Sequence, residues 1–161
     1  MILDNELVMM DSTAIGTTIA SIAAKGTVLD FGSGDKNAVG DTIYQRPGEG
    51  GRLVWNIVCE DADFAGTTGA VVTFSLVTDS VDTLDSTQRV IATHTVTMAN
   101  TTADPDDGDI IARIPIPATQ AFLRYVGTMV TIATQNMSAG KATTWLGQMA
   151  ETPVAPSDLK K

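Results

Sequence analysis

The sequence predicts an all-β, single-domain, jelly-roll-like β-sandwich, and three observations lead there. Apolar and polar residues alternate with period two in most segments after residue 25. Clusters of Gly, Asp and Pro interrupt those segments at short intervals. Only one stretch has any helical character. Many short strands joined by such turns bury their apolar faces best as two packed sheets.

With 161 residues the chain can bury about 70% of the surface it would expose unfolded, which is enough for one self-sufficient core. We divide it into an N-terminal arm (1–25), a sandwich domain (26–149) and an irregular, flexible tail (150–161). The arm opens MILDNELVMMDS, whose Leu3, Leu7, Val8 and Met9 are apolar groups available for packing on the domain or on a neighbour. Residues 12–24, STAIGTTIASIAA, begin on a potential Ser12 cap, but Gly16 and the β-branched Thr17, Thr18, Ile19 and Ile22 weaken a helix. An irregular or extended course is the better reading.

Strands are expected at 27–31, 52–60, 70–78, 88–98, 109–114, 121–126, 128–134 and 142–149. In 52–60, Leu53, Trp55, Ile57 and Cys59 share one face. In 70–78 the corresponding residues are Val72, Phe74 and Leu76, and in 88–98 they are Val90, Ala92, Val96 and Met98. Turn chemistry separates the strands at 32–41, 46–51, 61–69, 78–87 and 99–108. The tail, ETPVAPSDLKK, carries Pro153 and Pro156 and is a poor strand.

Composition narrows the function classes. Lys and Arg number 10 against 19 Asp and Glu, a net charge of −9, so the molecule's field repels phosphate backbones and anionic lipid. Neither nucleic acid nor a membrane is an expected partner. No apolar run approaches the length of a membrane span, and Asp4 and Glu6 stand where a secretory signal would be basic. One cysteine, Cys59, excludes an intrachain disulfide framework and fits a reducing compartment. Charged residues are only 18% and Thr is the commonest residue, which suits sheet faces that meet another protein.

Chemistry-bearing clusters are few. Asp104, Asp106, Asp107 and Asp109 in ADPDDGD offer hard oxygen ligands for calcium, but an EF-hand loop with Gly108 at its sixth position would place Ala103 first, Pro105 third and Ile114 twelfth. A solvated acidic turn accounts for them more simply. His94 is the only histidine, so every nucleophilic triad would pass through it. Its apolar neighbours Ala92 and Val96 make a packed or subunit-contact role the expectation. FGSGDK lacks the GK[ST] ending of a phosphate loop and any following helix. Trp55, Trp145, Phe122 and Tyr125 could form a sugar-stacking platform, though so small an aromatic complement first serves the core or an interface. We expect no enzymatic activity and no cofactor.

Pro115 and Pro117 stand two residues apart inside an apolar strand pattern. Residues i and i+2 present their N–H groups to the same lateral edge, so this pair deletes two donors from one edge. Such a segment lies at the edge of a sheet or ends a strand.

This region also carries a family resemblance. A strand closing on IPIP, the short connection ATQA and then FLRYV with its Arg-Tyr pair resembles the jelly-roll cement, or decoration, proteins of tailed bacteriophages. The opening MILDNELVMMDSTAI and the acidic SLVTDSVDTLDSTQ linker are similar to the same family, and the likeness extends to about residue 149. It implies a homotrimer, made in the host cytoplasm, on the exterior of an icosahedral virion. There it would contact the major capsid protein at three-fold and quasi-three-fold positions and stabilise the shell without catalysis. Leu3, Leu7, Val8, Met9, His94, Pro115 and Pro117 are the candidate interface residues. The competing expectation is a carbohydrate-binding sandwich that uses exposed aromatics and a calcium-loaded acidic loop.

Overall fold

The computed structural model describes residues 7–32, 35–36, 42–43, 53–60, 64–84, 87–99, 104–117 and 120–148. The chain runs through β1 (Val8–Ala14), β2 (Ala20–Asp30), β3 (Asp35–Lys36), β4 (Thr42–Ile43), β5 (Leu53–Cys59) and β6 (Ala65–Gly66). It continues through β7 (Val71–Asp79), β8 (Arg89–Thr97), β9 (Ile110–Ile116), β10 (Tyr125–Ala133), β11 (Met137–Ala139) and β12 (Lys141–Gln148). Eight of these build two four-stranded sheets, ordered β1-β12-β5-β9 and β2-β10-β7-β8, with every pairing antiparallel. Among those eight the first strand pairs with the last, the second with the seventh, the third with the sixth and the fourth with the fifth.

Period two sorts the side chains. Leu53, Trp55, Ile57 and Cys59 of β5 face inward as the alternation predicts, beside Ala112 and Ile116 of β9 and Ala142 and Leu146 of β12. From the opposite sheet come Val72, Phe74 and Leu76 of β7 and Val126, Val130 and Ile132 of β10. Both sets belong to one core cluster, so the protein is an all-β sandwich. Each large side chain fully buried there contributes roughly 1.5–3 kcal/mol of transfer free energy.

Two boundaries and one internal register differ from the sequence expectation. Residues 8–14 and 20–25, expected as part of an arm, are instead strand material on the edges of both sheets, in β1 and β2. Register shifts in both strands explain why the pattern was hidden: consecutive Met9 and Met10 are both buried, which no period-two repeat produces. The segments 121–126 and 128–134 are one strand, β10, which begins only at Tyr125. In β8 a bulge lets Leu76 face Ala92 while Val77 faces Val90, skipping Ile91. Val90 is therefore 48% exposed, and Ile91 takes its place against the core. Leu3 and the tail 150–161 lie outside the described residues, as do most of the turns at 32–41 and 46–51.

The two flanks of the sandwich are unlike. On one, β1 and β2 press together so closely that a Cβ added to Gly26 would run into the carbonyl oxygen of Met9. Gly26 also sits at φ +81°, a left-handed conformation that costs glycine little. On the other flank the edge strands β8 and β9 leave a groove between them.

Candidate functional site

Among the described residues strand β9 pairs only with β5, so it is the edge of its sheet. The Cys59 N–H donates to the Asp109 carbonyl at 2.8 Å, and the Gly108 N–H donates to the Cys59 carbonyl at 2.9 Å. Cys59 thus turns its backbone groups toward β9, and by period two so do Ile57, Trp55 and Leu53. Their partners Ala112, Ile114 and Ile116 face β5 in return. Pro115, opposite Val54, must face the open side, where its missing N–H costs the ladder nothing. Pro117 follows the strand end, exposed, and its carbonyl accepts the Gln120 N–H at 2.8 Å.

Across the flank, His94 lies on β8 opposite Phe74 and is half-buried. With Thr95, Val96, Thr97, Pro105, Asp109, Ile110 and Ile111 it lines a groove of about 430 Å³. Ile110 is 51% exposed on this flank because a bulge in β9 sets Ile111, and not Ile110, against the core.

The acidic turn is organised by its own backbone. The Ala99 N–H donates to Asp104 Oδ1 at 2.8 Å, the Asp107 N–H to Asp106 Oδ1 at 2.8 Å and the Asp106 N–H to Asp109 Oδ2 at 3.0 Å. Among the described residues, no three His, Cys, Asp or Glu side chains converge as a metal site.

The other candidates are dispersed. Leu7 packs against the core, Val8 is half-buried beside Trp145 on β12, and Met9 is 1% exposed within the core. Met9 therefore presents almost no surface to a neighbour. Trp55 and Phe122 are likewise buried and offer no face to a sugar, and the Phe122 ring meets Phe31 edge-on at 5.8 Å.

Two charged features close the end of the second sheet. Arg124 grips Asp30 bidentately, with both nitrogen to oxygen distances 2.9 Å, and its guanidinium lies 4.8 Å from the Tyr125 ring centroid. That guanidinium, with the Gly32 N–H, holds the Asp30 carboxyl below the usual aspartate range. Burial of Asp79 pushes its carboxyl up, but hydrogen bonds from Thr87, the backbone of Ser80 and Val81 and the Ser80 hydroxyl outweigh it and hold the group low. The Arg-Tyr pair was visible in the sequence. Its partner Asp30, 94 residues away, was not.

No protein-family model matches the chain, and no curated protein is significantly similar to it.

Proposed function

We propose that this protein is a bacteriophage capsid cement protein, a homotrimer seated on the outer face of an icosahedral head where major capsid protein subunits meet. The observation that carries this reading is the segment 109–126, whose IPIP ending, short connection and FLRYV restart resemble the cement family. The nested pairing of first strand with last supports it, because that wrapping is the one we read as a jelly roll. So does the proline-blunted edge of β9: copies crowded side by side on a shell need edges that do not propagate sheets.

The mechanism is preferential binding. Trimers that bind the assembled shell and not loose capsid subunits stabilise the shell by mass action. Three linked contacts per trimer turn modest affinities into high avidity. Binding then acts as an external brace against internal pressure.

Light scattering on the purified protein and co-sedimentation with capsids test this. A trimer, or a larger assembly built from trimers, that pellets with assembled heads is expected. A strict monomer at high concentration that stays in the supernatant overturns the reading.

A further inference from the structure

Among the described residues four strands form the edges of the two four-stranded sheets, and three of them are closed to further pairing. Pro115 blunts β9, while β1 and β2 are each broken by two register shifts and press against one another at Met9 and Gly26. The fourth, β8, has its single shift near the start, and its register with β7 is unbroken from Ala92 to Thr97.

Which backbone groups β8 leaves open follows from its end. The Met98 N–H donates to the Ala70 carbonyl at 2.8 Å, and the Met98 carbonyl accepts the Gly69 N–H at 2.8 Å. Met98 therefore faces the β7 side, and by period two so do Val96, His94 and Ala92. The N–H and C=O groups of Thr93, Thr95 and Thr97 point the other way, where no strand of the described residues lies.

We propose that this edge is a docking surface for the same edge of a second copy, with the two β8 strands antiparallel about a two-fold axis at Thr95. The edge is self-complementary. Thr95 meets Thr95 of the second copy and Thr93 meets its Thr97, and three such pairs exchange about six backbone hydrogen bonds. Residues 90–99 contain no Asp, Glu, Lys or Arg, so no like charges oppose one another across the axis. The threonine side chains extend a row already begun within the chain, where the Thr73 and Thr95 hydroxyls lie 3.1 Å apart. On the core side the second copy's His94 and Val96 fall over the groove that Ile110 and Ile111 line. The bulge at Ile91 limits the pairing to a short run, and a two-fold contact uses each β8 edge once, so the strand pairing itself does not propagate.

This inference is independent of capsid binding. The test is cysteine cross-linking read on a non-reducing denaturing gel, for which the native Cys59 is silent because it is fully buried. Thr95→Cys is expected to give a covalent dimer, since the axis sets position 95 against itself. Thr93→Cys alone should give none, and Thr93→Cys mixed with Thr97→Cys should restore it. Thr95→Pro removes a backbone donor that makes no bond among the described residues, so the circular dichroism spectrum should keep its β-sheet form. Its pair dissociation constant in sedimentation should rise about ten-fold or more. Equal cross-linking at positions 93 and 95, or none at 95, overturns the proposal. Failure to pellet with capsids leaves these bands unchanged, so the two readings fail separately.

Discussion

The hydroxyl oxygens of Thr128 and Thr144 lie 2.9 Å apart between the two sheets, and both residues are fully buried. Thr128 belongs to β10 and Thr144 to β12, so this polar contact joins opposite layers of the sandwich through its apolar interior. The Thr128 hydroxyl also reaches the Met9 sulfur at 3.7 Å. A buried hydroxyl is tolerated because each has the other, and both strands are thereby held in register across the core.

Thr144→Val should therefore cost about 1–3 kcal/mol, because it strands the Thr128 hydroxyl beside a weak sulfur acceptor. The double replacement Thr128→Val with Thr144→Val should cost less than the sum of the singles. Urea unfolding of all four proteins in a double-mutant cycle measures this coupling.

Gly127 is a seat for Leu84. A Cβ at position 127 would stand 2.6 Å from Leu84 Cδ1, and Leu84, on the connection between β7 and β8, is fully buried. Gly127→Ala should cost about 1–3 kcal/mol through overpacking. The same change in a Leu84→Ala background should cost less, since the intruding methyl then has room. Thermal unfolding of the single and double variants decides it.

Pro115→Thr restores a donor on the open edge of β9. Stability should change by no more than about 1 kcal/mol, since no ladder bond is gained or lost within the chain. Turbidity on prolonged incubation should rise above that of the parent, because the edge becomes competent for strand addition.

Acid should weaken the fold through Asp30 and Asp79. Both carboxyls are held below their ordinary values. A depressed folded-state value contributes stability that is fully present above the unfolded-state value and lost as pH falls through the folded one. The denaturation midpoint should thus drop on acidification below the ordinary aspartate range. Asp30→Asn should remove part of that drop, and carbon-detected titration of the two carboxyls should find both below free aspartate.

How much of this was legible depended on whether the strands kept strict period. β5 and β7 did, and Trp55 and Phe74 fall on the faces their alternation assigns. Pro115 was legible for a different reason: a missing N–H is a covalent fact, and only an open edge accommodates it without loss. The bulged strands hid themselves. Met9 beside Met10, and Val90 traded for Ile91, look like noise in a linear pattern and become regular only once the partner strand is known. Contacts such as Asp30 with Arg124, or Leu84 over Gly127, join distant segments through nesting of the strands, and local chemistry does not announce them. The open backbone of Thr93, Thr95 and Thr97 was equally hidden, because which way a strand turns its amides depends on its neighbour.

The contact of Gly26 with Met9 gives the sandwich the mechanics of a bound book. The flank carrying β1 and β2 is the spine, where backbone meets backbone and no side chain can yield. The flank carrying β8 and β9 is the fore-edge. Thermal breathing should part the covers there first, so in the unpaired copy amide exchange should spread inward from the β8 side while the spine stays shut.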